Sequence, residues 1–96
     1  MDNEPDIVIA DVLEASRYEM HRGGERIGHL NYQRSDGRMI LTHVEVDPAL
    51  EGRGLGSRLT EAVLQDFRTK GMTVIPECPF IVRFMREHPE YADLLG

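Results

Sequence analysis

Polar and apolar positions alternate through the first half of the chain and then shift to spacings of three and four. Ile7, Val8 and Ile9 form a short β-branched run within residues 6–12, which reads as a strand. Residues 16–22 alternate, with Tyr18 and Met20 on one side. Gly23 and Gly24 follow, and paired glycines supply the positive φ of a tight hairpin turn. Residues 25–34 form the returning strand, with Ile27, Leu30 and Tyr32. The change from odd to even positions predicts a bulge near Gly28. Ser35, Asp36 and Gly37 make the next turn. Residues 38–46 then alternate, with Ile40, Thr42, Val44 and Val46 on one face and Met39, Leu41, His43 and Glu45 on the other. Asp47-Pro48 ends that strand.

Beyond the turn, Leu55, Leu59, Ala62, Val63 and Phe67 share one helical face. Lys70-Gly71 closes the helix with a basic residue and a glycine at the position after its end. Residues 72–75 form a short apolar strand, stopped by Pro76. Pro79 opens a second helix, with Phe80, Ile81, Phe84 and Met85 on its apolar face. Pro89 breaks it, and residues 90–95 make a final turn. The fold class is therefore α+β: an antiparallel meander, then one βαβ unit whose crossover is right-handed and makes two strands parallel. Two to three helices accompany this mixed sheet.

Composition narrows the class. The 96 residues carry 11 Lys plus Arg and 17 Asp plus Glu, a formal net charge of -6, which argues against nucleic acid as the main partner. At 41% hydrophobic residues the chain fills one core, so residues 1–96 read as a single domain. No apolar run approaches the roughly 20 residues of a membrane helix. The acidic start, residues 1–6, has no signal-peptide character. One cysteine, Cys78, excludes an internal disulfide, and no spacing of His, Cys or acidic residues argues for metal. The expected setting is cytoplasmic.

The most informative segment is Glu51-Gly52-Arg53-Gly54-Leu55-Gly56-Ser57-Arg58. Glycines at alternate positions join a strand end to a helix start. They can admit a ligand close to the backbone, at a helix N-terminus whose free N–H groups suit an anion. Arg53, Arg58 and Ser57 add donors. The same glycines can also simply turn the chain. The spacing is neither G-x-G-x-x-G nor a P-loop.

Residues 46–57 resemble the pyrophosphate-binding motif of the GNAT-type acetyl-CoA-dependent N-acetyltransferases, Gln/Arg-x-x-Gly-x-Gly/Ala. Pro76-Glu77-Cys78-Pro79-Phe80-Ile81 and His88-Pro89-Glu90-Tyr91-Ala92-Asp93-Leu94 resemble a narrower branch of short, single-domain proteins. The resemblance covers residue 38 to the end strongly and the N-terminal hairpin more loosely. It implies a GNAT-like sheet whose parallel strands, ending at Val46 and Ile75, splay around acetyl-CoA. Val46, Arg53, Gly54, Leu55, Gly56, Ser57 and Arg58 would then bind the cofactor, with the diphosphate on the amides of residues 53–57. Glu51 departs from the motif, since a carboxylate there opposes a diphosphate unless it points to solvent.

Acetyl transfer needs a deprotonated amine and a thiolate that can leave. Cys78 opens a helix, a placement that activates a thiol able to take an acyl group, and the branch carries Cys there. As a small apolar residue at a strand-to-helix turn it needs no function. His43 can serve as base or pair with Cys78 across the cleft. It is equally a plain sheet histidine, and Glu45 on the same face is a solvated charge or its orienting partner. Phe84 falls where the superfamily often has a tyrosine acid, and Tyr91 in the tail is more a packing residue than a substitute. Arg83 and Arg86 read as a solvated face or phosphate contacts. The leading expectation is an N-acetyltransferase acting on a small amine or protein amino group. Its acceptor site would be open or completed by a second copy in a homo-oligomer. The alternatives are a CoA-binding module without turnover and a plain interaction domain.

Overall fold

In the computed structural model, which describes residues 6–96, five strands form one sheet in chain order. The acidic residues 1–5 lie outside the described residues. The strands are β1 (Ile7–Val12), β2 (Arg17–Arg22), β3 (Glu25–Ser35), β4 (Arg38–Val46) and β5 (Thr73–Pro76). The first four pair antiparallel, and β5 runs parallel to β4. Helix α1 (Leu55–Thr69) makes the crossover, α2 (Pro79–Glu87) follows β5, and a 3-10 segment, Pro89–Leu94, closes the chain. This is the expected α+β fold. Both hairpin turns form where the sequence places them, with φ of 58° and 82° at Gly23 and Gly24 and of 52° and 77° at Asp36 and Gly37.

Helix α1 lies over β3 and β4, α2 lies over β4 and β5, and the two helices touch. One core fills the space between helices and sheet. Its fully buried members include Met20, Leu30 and Leu41 from the sheet, Leu59, Val63, Leu64 and Phe67 from α1, and Val74 and Ile81 beyond it. Burying each such side chain stabilises the fold by roughly 1.5–3 kcal/mol. The apolar stripe of α1 is wider than its spacing suggests, because Leu64 and Thr60 are buried as well. The Thr60 hydroxyl is satisfied by donating to the Gly56 carbonyl at 2.8 Å. With both helices on one side, the other face of the sheet carries the polar positions of the strands.

Two bulges set which residues face which way. Met20 opposes Gly28 and His21 opposes Arg26, so Ile27 has no partner and both Ile27 and Gly28 are buried. That is the bulge expected near Gly28. A side chain at Gly28 would bring its Cβ to 3.0 Å from the Glu45 carbonyl, so the close approach of β3 and β4 favours glycine here. The second bulge was not foreseen. Asn31 opposes His43 and Tyr32 opposes Leu41, which leaves Thr42 unpaired. The sequence reading of β4 is corrected as a result. Met39 and Leu41 are buried, and after the extra residue it is Val44 and Val46 that pack on the same core. His43 and Glu45 therefore leave the Met39–Leu41 face and become exposed. Period-two counting fails at a bulge because one unpaired residue exchanges every later side chain between faces.

Candidate functional site: a cleft between parting strands

Strands β4 and β5 pair only from Arg38↔Thr73 to Leu41↔Pro76. At that point the Leu41 carbonyl accepts from the N–H of both Glu77 (2.9 Å) and Cys78 (3.2 Å), and the chain turns into α2. Strand β4 continues through residues 42–46 with no strand on that side among the described residues. The expected splay is thus present, and its origin is local. A doubly used carbonyl ends the ladder on one side, while a bulge at Thr42 bends the other strand away.

A groove of about 370 Å³ opens in this gap. Residues 44–46 of β4, Pro48, residues 50–52, residues 54–57 and Phe80 line it. Asp47 shapes the approach by accepting from the Ala49 N–H at 3.0 Å, which caps a 3-10 turn over Pro48–Leu50. Gly52 and Gly54 then take φ of 87° and 71° with open space around them, conformations that glycine adopts without strain. Gly54 precedes α1, and its carbonyl accepts the first helical bond, from Arg58 N–H at 3.0 Å. The amides of Leu55, Gly56 and Ser57 fall in the first turn and have no intrahelical partner. Together with the helix dipole they make the groove floor an anion site.

The three glycines do different work. Gly52 and Gly54 supply backbone shape, whereas Gly56 sits against α2, where an added Cβ would meet the Phe80 ring at 3.1 Å. Of the expected cofactor residues, Val46, Gly54, Leu55, Gly56 and Ser57 line the groove. Arg53 and Arg58 flank it, exposed and without an ion pair among the described residues. Glu51 is exposed as it lines the groove, a position that lets its carboxylate turn to solvent. Sequence reasoning missed Val44, Pro48, Leu50 and Phe80. Phe80 had a signal in its place just after Pro79, and Val44 in the strand face it shares with Val46.

Cys78 is buried at the N-cap of α2, at the apex where the strands part, and it is not among the groove-lining residues. His43 lies on the face of the sheet away from the helices. Its Nε2 sits 3.1 Å from Glu45 Oε1, and its ring centroid is 5.9 Å from that of His29. No hydrogen bond joins His43 to Cys78. The His43 contact, followed by the charge of His29, holds the Glu45 carboxyl below its usual pKa, and burial lowers that of His29. Tyr91 packs as expected. It is 2% exposed, donates to Glu61 at 3.2 Å and accepts from Gln65 at 3.1 Å, and burial raises its pKa. Phe84 is also buried, stacked on His88 with ring centroids 3.9 Å apart. Arg83 and Arg86 are exposed. Among the described residues no helix is long and apolar enough to cross a membrane.

A profile of the GCN5-related N-acetyl-transferases matches residues 17–94. A search of proteins of curated function finds no match. Among solved structures, a GCN5-like protein from Staphylococcus aureus superposes with a TM-score of 0.70 at 18% identity, covering 99% of this chain and 91% of its own. Ard1 from Thermoplasma volcanium gives 0.64 at 21% identity, with 79% of this chain and 55% of its own. A GNAT family acetyltransferase from Brucella melitensis, solved in complex with acetyl-CoA, gives 0.58 at 23% identity, with 74% and 53%. The chain thus spans nearly all of the first protein and about half of the other two. The profile covers the second bulge, the parting strands and the glycine turn into α1 in one continuous match, and this chain belongs to the GCN5-related N-acetyl-transferase family.

Proposed function

We propose that this chain binds acetyl-CoA in the groove between β4 and β5 and transfers the acetyl group to an amine. One observation carries the reading. The strands part directly above a helix start whose free amides, glycine backbone and flanking arginines suit a diphosphate. The unpaired edge of residues 42–46 offers backbone N–H and C=O groups to a pantetheine arm, and Val44, Val46 and Phe80 offer an apolar wall. Acetyl-CoA, when bound, supplies an activated thioester. The chain's own residues must then position the amine and take its proton. His43 and Glu45 stand on the outer side of the same strand, open to an acceptor arriving from solvent. Cys78 is held at the apex, where a thiol that turned into the gap would meet an acyl group. The acceptor is an amine of a small molecule or a protein, reached on the sheet face that no helix covers.

The second reading is a CoA-binding module without turnover. It is favoured by Phe84, which has no hydroxyl, and by Tyr91, whose hydroxyl is committed to Glu61 and Gln65. Calorimetric titration of acetyl-CoA and CoA into wild type and Ser57→Glu tests both. The substitution places a carboxylate on the first turn of α1, where it suits the helix dipole and opposes a diphosphate. Saturable binding lost in Ser57→Glu supports the groove. No binding to folded wild-type protein removes both readings. Transfer to an amine panel that falls in His43→Ala and Cys78→Ala, with CoA affinity unchanged, separates the enzyme from the module.

A further inference from the structure

The face of the sheet away from the helices holds a cluster that no spacing in the sequence reveals. His29 on β3 is the register partner of Glu45 on β4, and the Thr42 bulge turns His43 to the same side. Nε2 of His43 and of His29 lie 3.1 Å and 3.9 Å from Glu45 Oε1. One ligating atom from each of the three residues falls within 4.8 Å of the others. The neighbouring carboxylate, Glu19, is already engaged by Arg17, His21 and Arg26, whereas among the described residues Glu45 pairs directly with the two imidazoles alone, with the Arg26 charge acting on it from further off. The His29 side chain is 17% exposed, against 52% and 60% for His43 and Glu45. The cluster is thus anchored on one side and open to water on the other.

Two imidazole nitrogens and one carboxylate oxygen are a common donor set for zinc and other divalent first-row metals, with remaining positions filled by water. Two adjacent hydrogen-bonded strands hold the three Cα atoms in place, so only side-chain rotations are needed to converge on one ion. We infer that His29, His43 and Glu45 form a binding site for one divalent transition-metal ion on the open face of the sheet. The site shares Glu45 with the groove rim but uses no residue of the glycine turn, and it stands whether or not acetyl-CoA binds. Where both hold, a bound ion occupies Nε2 of His43 and blocks it as a base, so added zinc suppresses transfer and a chelator restores it.

The test uses the full chain without a histidine tag and without CoA. Zn²⁺ is titrated by calorimetry and Co²⁺ by its visible absorption, for wild type, His29→Ala, His43→Ala, Glu45→Gln and the control His21→Ala. Circular dichroism confirms that each is folded, as surface substitutions should be. The expected result is one saturable equivalent in wild type and His21→Ala. Each ligand variant should lose more than the roughly 10–100-fold that removal of an outer-shell partner costs. Absence of saturable binding, binding that survives all three substitutions, equal loss in His21→Ala, or a thiolate-to-cobalt band from Cys78 would each overturn the inference. Because the readout is metal alone, its failure leaves the groove reading intact, and loss of CoA binding leaves this one intact.

Discussion

The two ends of α1 are built on opposite principles. At the C-terminal end almost every polar group is engaged. Asp66 accepts from the Tyr18 hydroxyl and pairs with Lys70 at 2.8 Å, and Lys70 reaches Asp11 at 3.5 Å. Arg68 donates to the Glu90 carbonyl at 2.8 Å and pairs with Asp93 at 2.5 Å. Gly71 ends the helix with φ of 70°, and the rings of Tyr18, Tyr32 and Phe67 pack edge-on or tilted within 6.1 Å. At the N-terminal end there is no side-chain cap, three amides have no helical partner, and the arginines are unpaired among the described residues. One end ties the helix to β1, β2 and the tail. The other keeps its donors for something outside the chain. A helix can leave one end unsatisfied when the other end and its buried face hold it in place, and an unsatisfied end exposed to water is where an anion gains most.

Substitutions sharpen this contrast, beginning with the largest effect. Phe67→Ala removes a ring that is 1% exposed and should destabilise the fold by about 3–5 kcal/mol, read by chemical denaturation. Ser57→Glu should weaken acetyl-CoA binding roughly 10–100-fold, the loss of about one charge-assisted hydrogen bond. Its melting temperature should stay equal or rise, because the new charge suits the helix dipole. A fall in stability together with binding would erase the contrast between the ends. Gly54→Ala keeps the space but not the backbone freedom, and a left-handed alanine should cost about 1–2 kcal/mol, with Gly54→Asn costing less. Tyr18→Phe removes one partner of Asp66 and should cost about 0.5–1.5 kcal/mol, with no change in CoA affinity.

The smallest effect is a pH dependence. Burial raises the Asp66 pKa, but the hydrogen bonds from Lys70 and Tyr18 outweigh it and leave the carboxyl below its ordinary value. A depressed carboxylate contributes its full stability above the unfolded pKa, about 3.9, and loses it as pH falls through the lower folded value. The contribution should therefore be constant at neutral pH and fade below about pH 4. Its size is limited because Asp66 and Lys70 are 38% and 44% exposed and screened by solvent. Melting curves of wild type and Asp66→Asn should converge in acid.

Much of this was legible in the chain. The hairpin glycines, the α1 stripe from Leu55 to Phe67, Lys70-Gly71 and Pro79 each act within a few residues, so their pattern is visible without a partner. The glycine turn into α1 was visible for the same reason, and six of its residues, Glu51, Gly52, Gly54, Leu55, Gly56 and Ser57, line the groove. The face of His43 and Glu45 was not legible. The bulge at Thr42 depends on how β4 registers with β3, and register is a property of two strands. Phe80 as groove wall, the separate duty of Gly56 and the meeting of His29 with Glu45 were hidden in the same way.

By itself, then, the sequence determined the order and type of the elements, the hairpin turns, and the anion-ready start of α1. These follow from propensity, period and the backbone freedom of glycine, all local. The tertiary structure alone decided where β4 and β5 part, which face carries His43 and Glu45, and which side chains meet across strands. Those depend on strand register and on where a ladder of hydrogen bonds ends, and neither exists until the chain has folded onto itself.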